Sequence, residues 1–136
     1  MEPMKLDILA ISAHPDDIEL SCSGTLIAHK TQGYTTGILD LTEGEMSTRG
    51  TPEIRQKESV EASQIMGISI RENLGLSDAK FDLSFENQAR VIKVLRKYRP
   101  EIILANAPYD RHPDHVRASQ LIEEAVFKSG LVKIET

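Results

Sequence analysis

The chain has 136 residues, 40% of them hydrophobic and 27% charged, with a formal net charge of −5. That size makes one domain with a real core, and the acidic balance excludes a nucleic-acid backbone as the expected partner, because no basic surplus exists to displace counterions. No run approaches the roughly 20 apolar residues that cross a bilayer, so no membrane partner is expected either. The apolar stretch ahead of His14 is too short for a signal peptide, and the single Cys22 cannot form an internal disulfide. A soluble cytoplasmic protein is the expectation.

Taken in chain order, Leu6 to Ser12 is apolar between polar flanks and reads as a buried strand. Ile18 to Thr31 reads as a helix that ends near Gly33, and Thr35 to Leu41 as a second strand. A polar loop from Thr42 to Gly50 carries Glu43, Glu45 and Arg49. Thr51 followed by Pro52 predicts a helix start, since Pro loses nothing where the N–H would be unpaired. That helix is expected to run to Met66 and stop at Gly67, with Ile68 to Leu74 as a third strand. Ser84 is the next predicted cap, and Phe85, Ala89, Ile92 and Leu95 give an apolar face that Pro100 ends. Arg96, Lys97 and Arg99 at that helix's end suit its dipole. Glu101 to Ala105 is the fourth strand, and a last helix begins near Pro113 and ends before Gly130.

Strands alternating with helices predict an α/β, Rossmann-like fold. Its sheet is expected to be mostly parallel, in the order 3-2-1-4, with helices on both faces. Ligands in such folds bind beyond the carboxyl ends of the strands, where the strand order reverses. Two clusters follow the strands that flank that point: Ala13-His14-Pro15-Asp16-Asp17, and Arg111-His112-Pro113-Asp114-His115. A lone His-Pro-Asp is as readily a turn, since Pro sets φ and Asp bonds nearby backbone. Two of them at adjacent strand ends argue for a metal-dependent hydrolase.

A catalytic zinc site takes three protein ligands and leaves a position for water, which the metal acidifies. His14, Asp17 and His115 would supply a His2Asp set. Asp16 would be free to act as general base. His112, if protonated, would donate to a developing oxyanion, with Asp114 holding the imidazolium. Iron, cobalt or manganese would suit the same donors. His29 reads as a surface histidine and Cys22 as a packed residue. The stretch Ser21 to Thr25 lacks the spacing and lysine of a phosphate loop. Glu43, Glu45, Arg49 and Arg55 read equally as solvated charges or as substrate contacts.

These segments resemble the LmbE-like (PIG-L) zinc de-N-acetylases. The resemblance is carried by Ala13 to Glu19, by His112-Pro113-Asp114-His115, by Thr42 to Glu45, by Thr48 to Arg55 and by Asn73 to Asp78. The stretch from Arg99 to Thr136 resembles the bacillithiol-pathway branch. The resemblance implies a zinc-dependent deacetylase acting on a small-molecule amino sugar, N-acetylglucosaminyl-malate, to give glucosaminyl-malate and acetate. It implies His14, Asp17 and His115 as metal ligands, Asp16 as base, and His112 with Asp114 as oxyanion support. It further implies Glu45, Arg55 and Asp78 as sugar contacts, and a homo-oligomer. Ser21 and Ser23 stand where the family usually has glycines. Family members are usually longer, so residues 1–136 are expected to be the N-terminal part of a single longer domain. Deacetylation of another acetylated amino sugar, a non-catalytic metal- or sugar-binding domain, and a nucleotide-binding domain are the competing expectations.

Overall fold

A computed structural model of the chain describes residues 4–136. Four strands, β1 (Ile8–Ser12), β2 (Thr36–Thr42), β3 (Ile70–Leu76) and β4 (Ile102–Ala105), alternate with four helices. The helices are α1 (Asp17–Thr31), α2 (Pro52–Met66), α3 (Phe85–Tyr98) and α4 (Pro113–Ser129). The sheet is parallel throughout, in the order β3-β2-β1-β4. That is the predicted topology. Every residue of β1 and β2 is buried, because the central strands of a sheet covered on both faces meet no solvent. Their near-continuous apolar runs follow from this.

One face of the sheet packs Ile8, Ala10 and Ile38 against Ile18 and Leu26 of α1 and Met66 of α2. The other packs Leu9, Ile11, Leu39 and Leu41 against α3 and α4, through Val91, Ile92, Leu95, Ala118, Leu121 and Ile122. Gly37 sits where β2 passes closest to its surroundings. A Cβ there would lie 2.7 Å from Leu6 Cδ1 and 2.9 Å from Ile70 Cγ1. Two predicted caps form: the Thr51 hydroxyl accepts from the Ile54 N–H, and the Ser84 hydroxyl from the Asn87 N–H. Among the described residues no helix is long and apolar enough to cross a membrane.

The strand boundaries shift from those expected. β3 begins at Ile70 instead of Ile68 because the Ile68 N–H still closes α2, donating to the Ser63 carbonyl. β1 begins at Ile8, since the Leu6 N–H bonds to the Tyr98 carbonyl and Asp7 is engaged by Thr35. β4 begins one residue late, at Ile102. Helix α1 is interrupted at Cys22, whose φ of −141° is not helical. The kink falls between Ser21 and Ser23, where the resemblance implied glycines.

Candidate metal centre and active site

All four strands end on one edge of the sheet, and the loops that leave that edge build the site. The loop after β1 is anchored on both sides. The Ala13 N–H donates to Asn106 Oδ1, just beyond β4, at 3.1 Å, and the Ala13 carbonyl accepts from the N–H and hydroxyl of Thr42 on β2. His14 is thereby held at the switch point between β1 and β4. The loop after β4 brings in the second cluster, which opens α4. The two clusters, almost a hundred residues apart in sequence, meet with the His14 ring 4.9 Å from His112 and 5.4 Å from His115, centroid to centroid.

Asp17 Oδ2 lies 3.4 Å from His14 Nδ1 and 3.3 Å from His115 Nε2. Asp17 thus reaches both of the other expected ligands. The remaining nitrogen of each imidazole is taken by a carboxylate. His14 Nε2 lies 2.8 Å from Asp114 Oδ2, and His115 Nδ1 lies 3.1 Å from Asp110 Oδ2. An imidazole whose far N–H is held by a carboxylate is oriented as in a metal-ligating histidine; a bound cation would have to displace the proton that His14 otherwise shares with Asp17 before Nδ1 could offer a lone pair. The chemistry of the donors, imidazole and carboxylate gathered around His14, fits a divalent cation. Among the described residues, the sets whose ligand atoms all fall within 4.8 Å of one another are His14, His112 and His115, and His14, Asp78 and Asp114, and the expected trio is not one of them.

The charges are strongly coupled. Burial opposes protonation of His14, but its bonds to Asp17 and Asp114 and the nearby negative charges prevail, and its pKa rises to about 9. Burial likewise works against the charged form of Asp17, and the bonds from His14 overcome it, leaving the carboxyl below its ordinary range. Asp114 follows the same pattern, with burial outweighed by His14 and by the Ala79 N–H. Asp16 moves the other way: burial raises its pKa, against the pull of Arg55.

One expected support is redirected. The Asp114 carboxylate is bonded to His14, to the Ala79 N–H and to Arg117, and not to the His112 ring. His112 is instead the N-cap of α4, its Nδ1 accepting from the Asp114 N–H at 3.1 Å. That bond occupies Nδ1 and leaves Nε2 as the ring nitrogen free to face a substrate. The His112 ring stacks on His115, with centroids 4.6 Å apart.

The three expected sugar contacts gather on the rim and bind one another's loops. Glu45 Oε2 accepts from the Asp78 N–H at 2.8 Å, and Asp78 Oδ2 accepts from the Met46 N–H at 2.9 Å. Asp78 is buried, and its Oδ1 lies 3.1 Å from His14 Nε2. Arg55 donates to Gly44, Pro15 and Asp16. Two open clefts flank the cluster. One, of about 370 Å³, is lined by Pro15, Glu43 and Arg55; the other, of about 650 Å³, by Ala79, Lys80, Arg111 and Arg117. Sequence reasoning missed Asn106, Asp110 and Arg117. Only Asp110 carried a signal, as an Asx residue two before His112 whose carboxylate accepts that residue's N–H.

The sequence profile described as GlcNAc-PI de-N-acetylase (PIG-L) matches residues 9–126. Diacetylchitobiose deacetylase of Thermococcus kodakarensis is 31% identical over 134 residues, covering 91% of this chain and 50% of that protein. The probable N-acetyl-alpha-D-glucosaminyl L-malate deacetylase 2 of Bacillus anthracis is 29% identical, covering 88% of this chain and 58% of that protein. The crystal structure of the conserved protein TT1542 from Thermus thermophilus superposes with a TM-score of 0.91 at 48% identity. That superposition covers 94% of this chain and 58% of TT1542. The chain thus spans between 50% and 58% of the length of these relatives.

Proposed function

Because the chain belongs to the GlcNAc-PI de-N-acetylase (PIG-L) family, we propose that its site hydrolyses the acetamide of an N-acetylglucosamine conjugate, with zinc as the resident metal. The observation that carries this reading is the gathering of His14, His112, His115, Asp78 and Asp114 at one sheet edge, with Asp17 Oδ2 reaching both His14 Nδ1 and His115 Nε2 and both of those imidazoles braced by carboxylates. A bound divalent cation would polarise the amide carbonyl and acidify a water. The residues of the chain supply the proton traffic. Asp16 takes the proton of the attacking water, its carboxyl raised above its ordinary value by desolvation against the pull of Arg55. That proton then goes to the amine nitrogen as the C–N bond breaks, giving acetate and a free amine. His112, whose Nδ1 is occupied by the Asp114 N–H, donates from Nε2 to the carbonyl oxygen as negative charge develops there.

For the sugar conjugate we propose N-acetylglucosaminyl-malate, in line with the Bacillus relative; a chitobiose-type substrate, in line with the Thermococcus relative, is the second reading. The test is zinc analysis of the purified chain together with acetate release from a panel of acetylated glucosaminides. Asp16→Ala is expected to keep zinc and lose most turnover, and His14→Ala to lose zinc as well. Undiminished deacetylation by Asp16→Ala removes Asp16 from the mechanism. Full zinc occupancy in His14→Ala overturns the ligand set.

A further inference from the structure

Asp16 is built in an unusual way. Its φ of 89° and ψ of −20° are left-handed, a conformation L residues avoid because Cβ crowds the carbonyl. It occupies the N-cap of α1, a position where aspartate ordinarily turns its carboxylate back onto the helix N–H groups, yet it makes no such bond. Its carboxylate is drawn outward instead, to Arg55 NH2 at 3.2 Å. The same NH2 group donates to the Pro15 carbonyl at 3.0 Å, and NH1 donates to the Gly44 carbonyl at 3.2 Å. Arg55 thus grips the peptide immediately before Asp16 and the Asp16 side chain together.

The seat for that guanidinium is specific. Gly44 has φ +67°, and a Cβ on it would stand 2.3 Å from Arg55 NH1. Its loop is fixed, the Gly44 N–H donating to the Thr42 hydroxyl that itself donates to the Ala13 carbonyl. Arg55 projects from the capped first turn of α2, with its own N–H on the Thr51 carbonyl. Both sides of the clamp are therefore anchored, and Asp16 is held between them.

We propose that Arg55 is a positioning residue for Asp16, that Gly44 is the glycine its guanidinium requires, and that together they keep Asp16 from collapsing into an ordinary helix cap. Without Arg55 the turn relaxes, and the carboxylate swings onto the α1 N-terminus. Its effect on turnover rests on the deacetylase reading; the clamp itself does not.

The test uses the full chain with zinc and compares Arg55→Ala, Gly44→Ala, the double variant and Arg55→Lys. Displacing a reacting group by about 1 Å costs on the order of 10²-fold in rate, so kcat is expected to fall by about that factor in Arg55→Ala, with KM and zinc content unchanged. Gly44→Ala, which crowds the guanidinium and also strains the left-handed Gly44 turn, is expected to reproduce the loss, and the double variant to be no worse than the more impaired of the two single variants. Arg55→Lys is expected not to rescue, since an ammonium cannot reproduce the planar fork that serves all three acceptors. A raised KM with intact kcat would make Arg55 a sugar contact and overturn the proposal, as would additive losses in the double variant. If the unaltered chain releases acetate from no substrate, the deacetylase reading fails, and the clamp is judged by NMR alone. There the Asp16 13Cα and 13Cβ shifts must report a left-handed residue that reverts in Arg55→Ala; unchanged shifts refute the clamp.

Discussion

Replacing Arg71 with methionine removes the centre of a buried charge network. Arg71, on β3, holds Asp40 of β2 through Nε at 2.8 Å and NH2 at 3.1 Å, and Glu19 of α1 through NH1 at 3.1 Å and NH2 at 3.2 Å. One guanidinium therefore joins two strands to the helix turn that follows Asp16 and Asp17. Asp40 is only 2% exposed, and burial already pushes its carboxyl above the ordinary range, with Arg71 pulling it back. Removing one partner of a buried pair strands the other, at a cost of about 3–5 kcal/mol. Glu19 is less enclosed and can turn toward water, so the penalty is assigned chiefly to Asp40. Against a total stability of about 5–15 kcal/mol, the melting temperature should fall by roughly 10–20 °C. Urea unfolding and calorimetry read this directly. The loss must also depend on pH. In Arg71→Met the folded chain binds the Asp40 proton more tightly than the unfolded chain does. The full penalty therefore stands above the raised folded pKa and shrinks as pH falls toward it. Pairing Asp40→Leu with Arg71→Met removes both charges and should recover most of the stability. A loss under about 1 kcal/mol at neutral pH, or a double variant as unstable as Arg71→Met, would show that this network does not carry the energy reasoned here.

Three further outcomes are expected. Gly37→Ala should lower stability by about 1–3 kcal/mol through overpacking against Leu6 and Ile70, seen as a lower urea midpoint at constant slope. Arg96 donates to the carbonyls of Ser129, Leu131 and Ile134, so Arg96→Ala should speed amide exchange of Leu131 and Ile134 while leaving the β1 and β2 amides protected; unaltered exchange would mean the segment holds itself. Asp114→Asn weakens the brace on His14 Nε2 and should reduce zinc affinity about 10–100-fold in a chelator competition, whereas an unchanged affinity would remove Asp114 from the support of the site.

The parallel sheet and its strand order were legible because each element is locally consistent. The apolar runs of β1 and β2, the Thr51-Pro52 and Ser84 helix starts, and Ile92 and Leu95 of α3 all point one way, whereas Phe85, expected on the same face, is exposed and Val91, Val94 and Tyr98 complete that face instead. The strand boundaries were less so, because whether Ile68 closes α2 or opens β3 is set by which carbonyl its N–H finds. Cluster membership was equally legible, since strand order alone brings His14 and His115 to one sheet edge.

What only the tertiary structure decided is where each polar group makes its bonds. Asp114 stands beside His112 in sequence, yet its carboxylate braces His14, because helix geometry at the start of α4 turns it inward while His112 caps the helix. Arg55 and Asp16 are 39 positions apart, and nothing in either segment announces the other. Local sequence determined the elements, their order and the residue types gathered at one edge, because propensity and periodicity act over a few residues. The partners of Asp16, Asp78 and Asp114 depend on directional bonds between loops that only the packed sheet brings within 3.2 Å of each other.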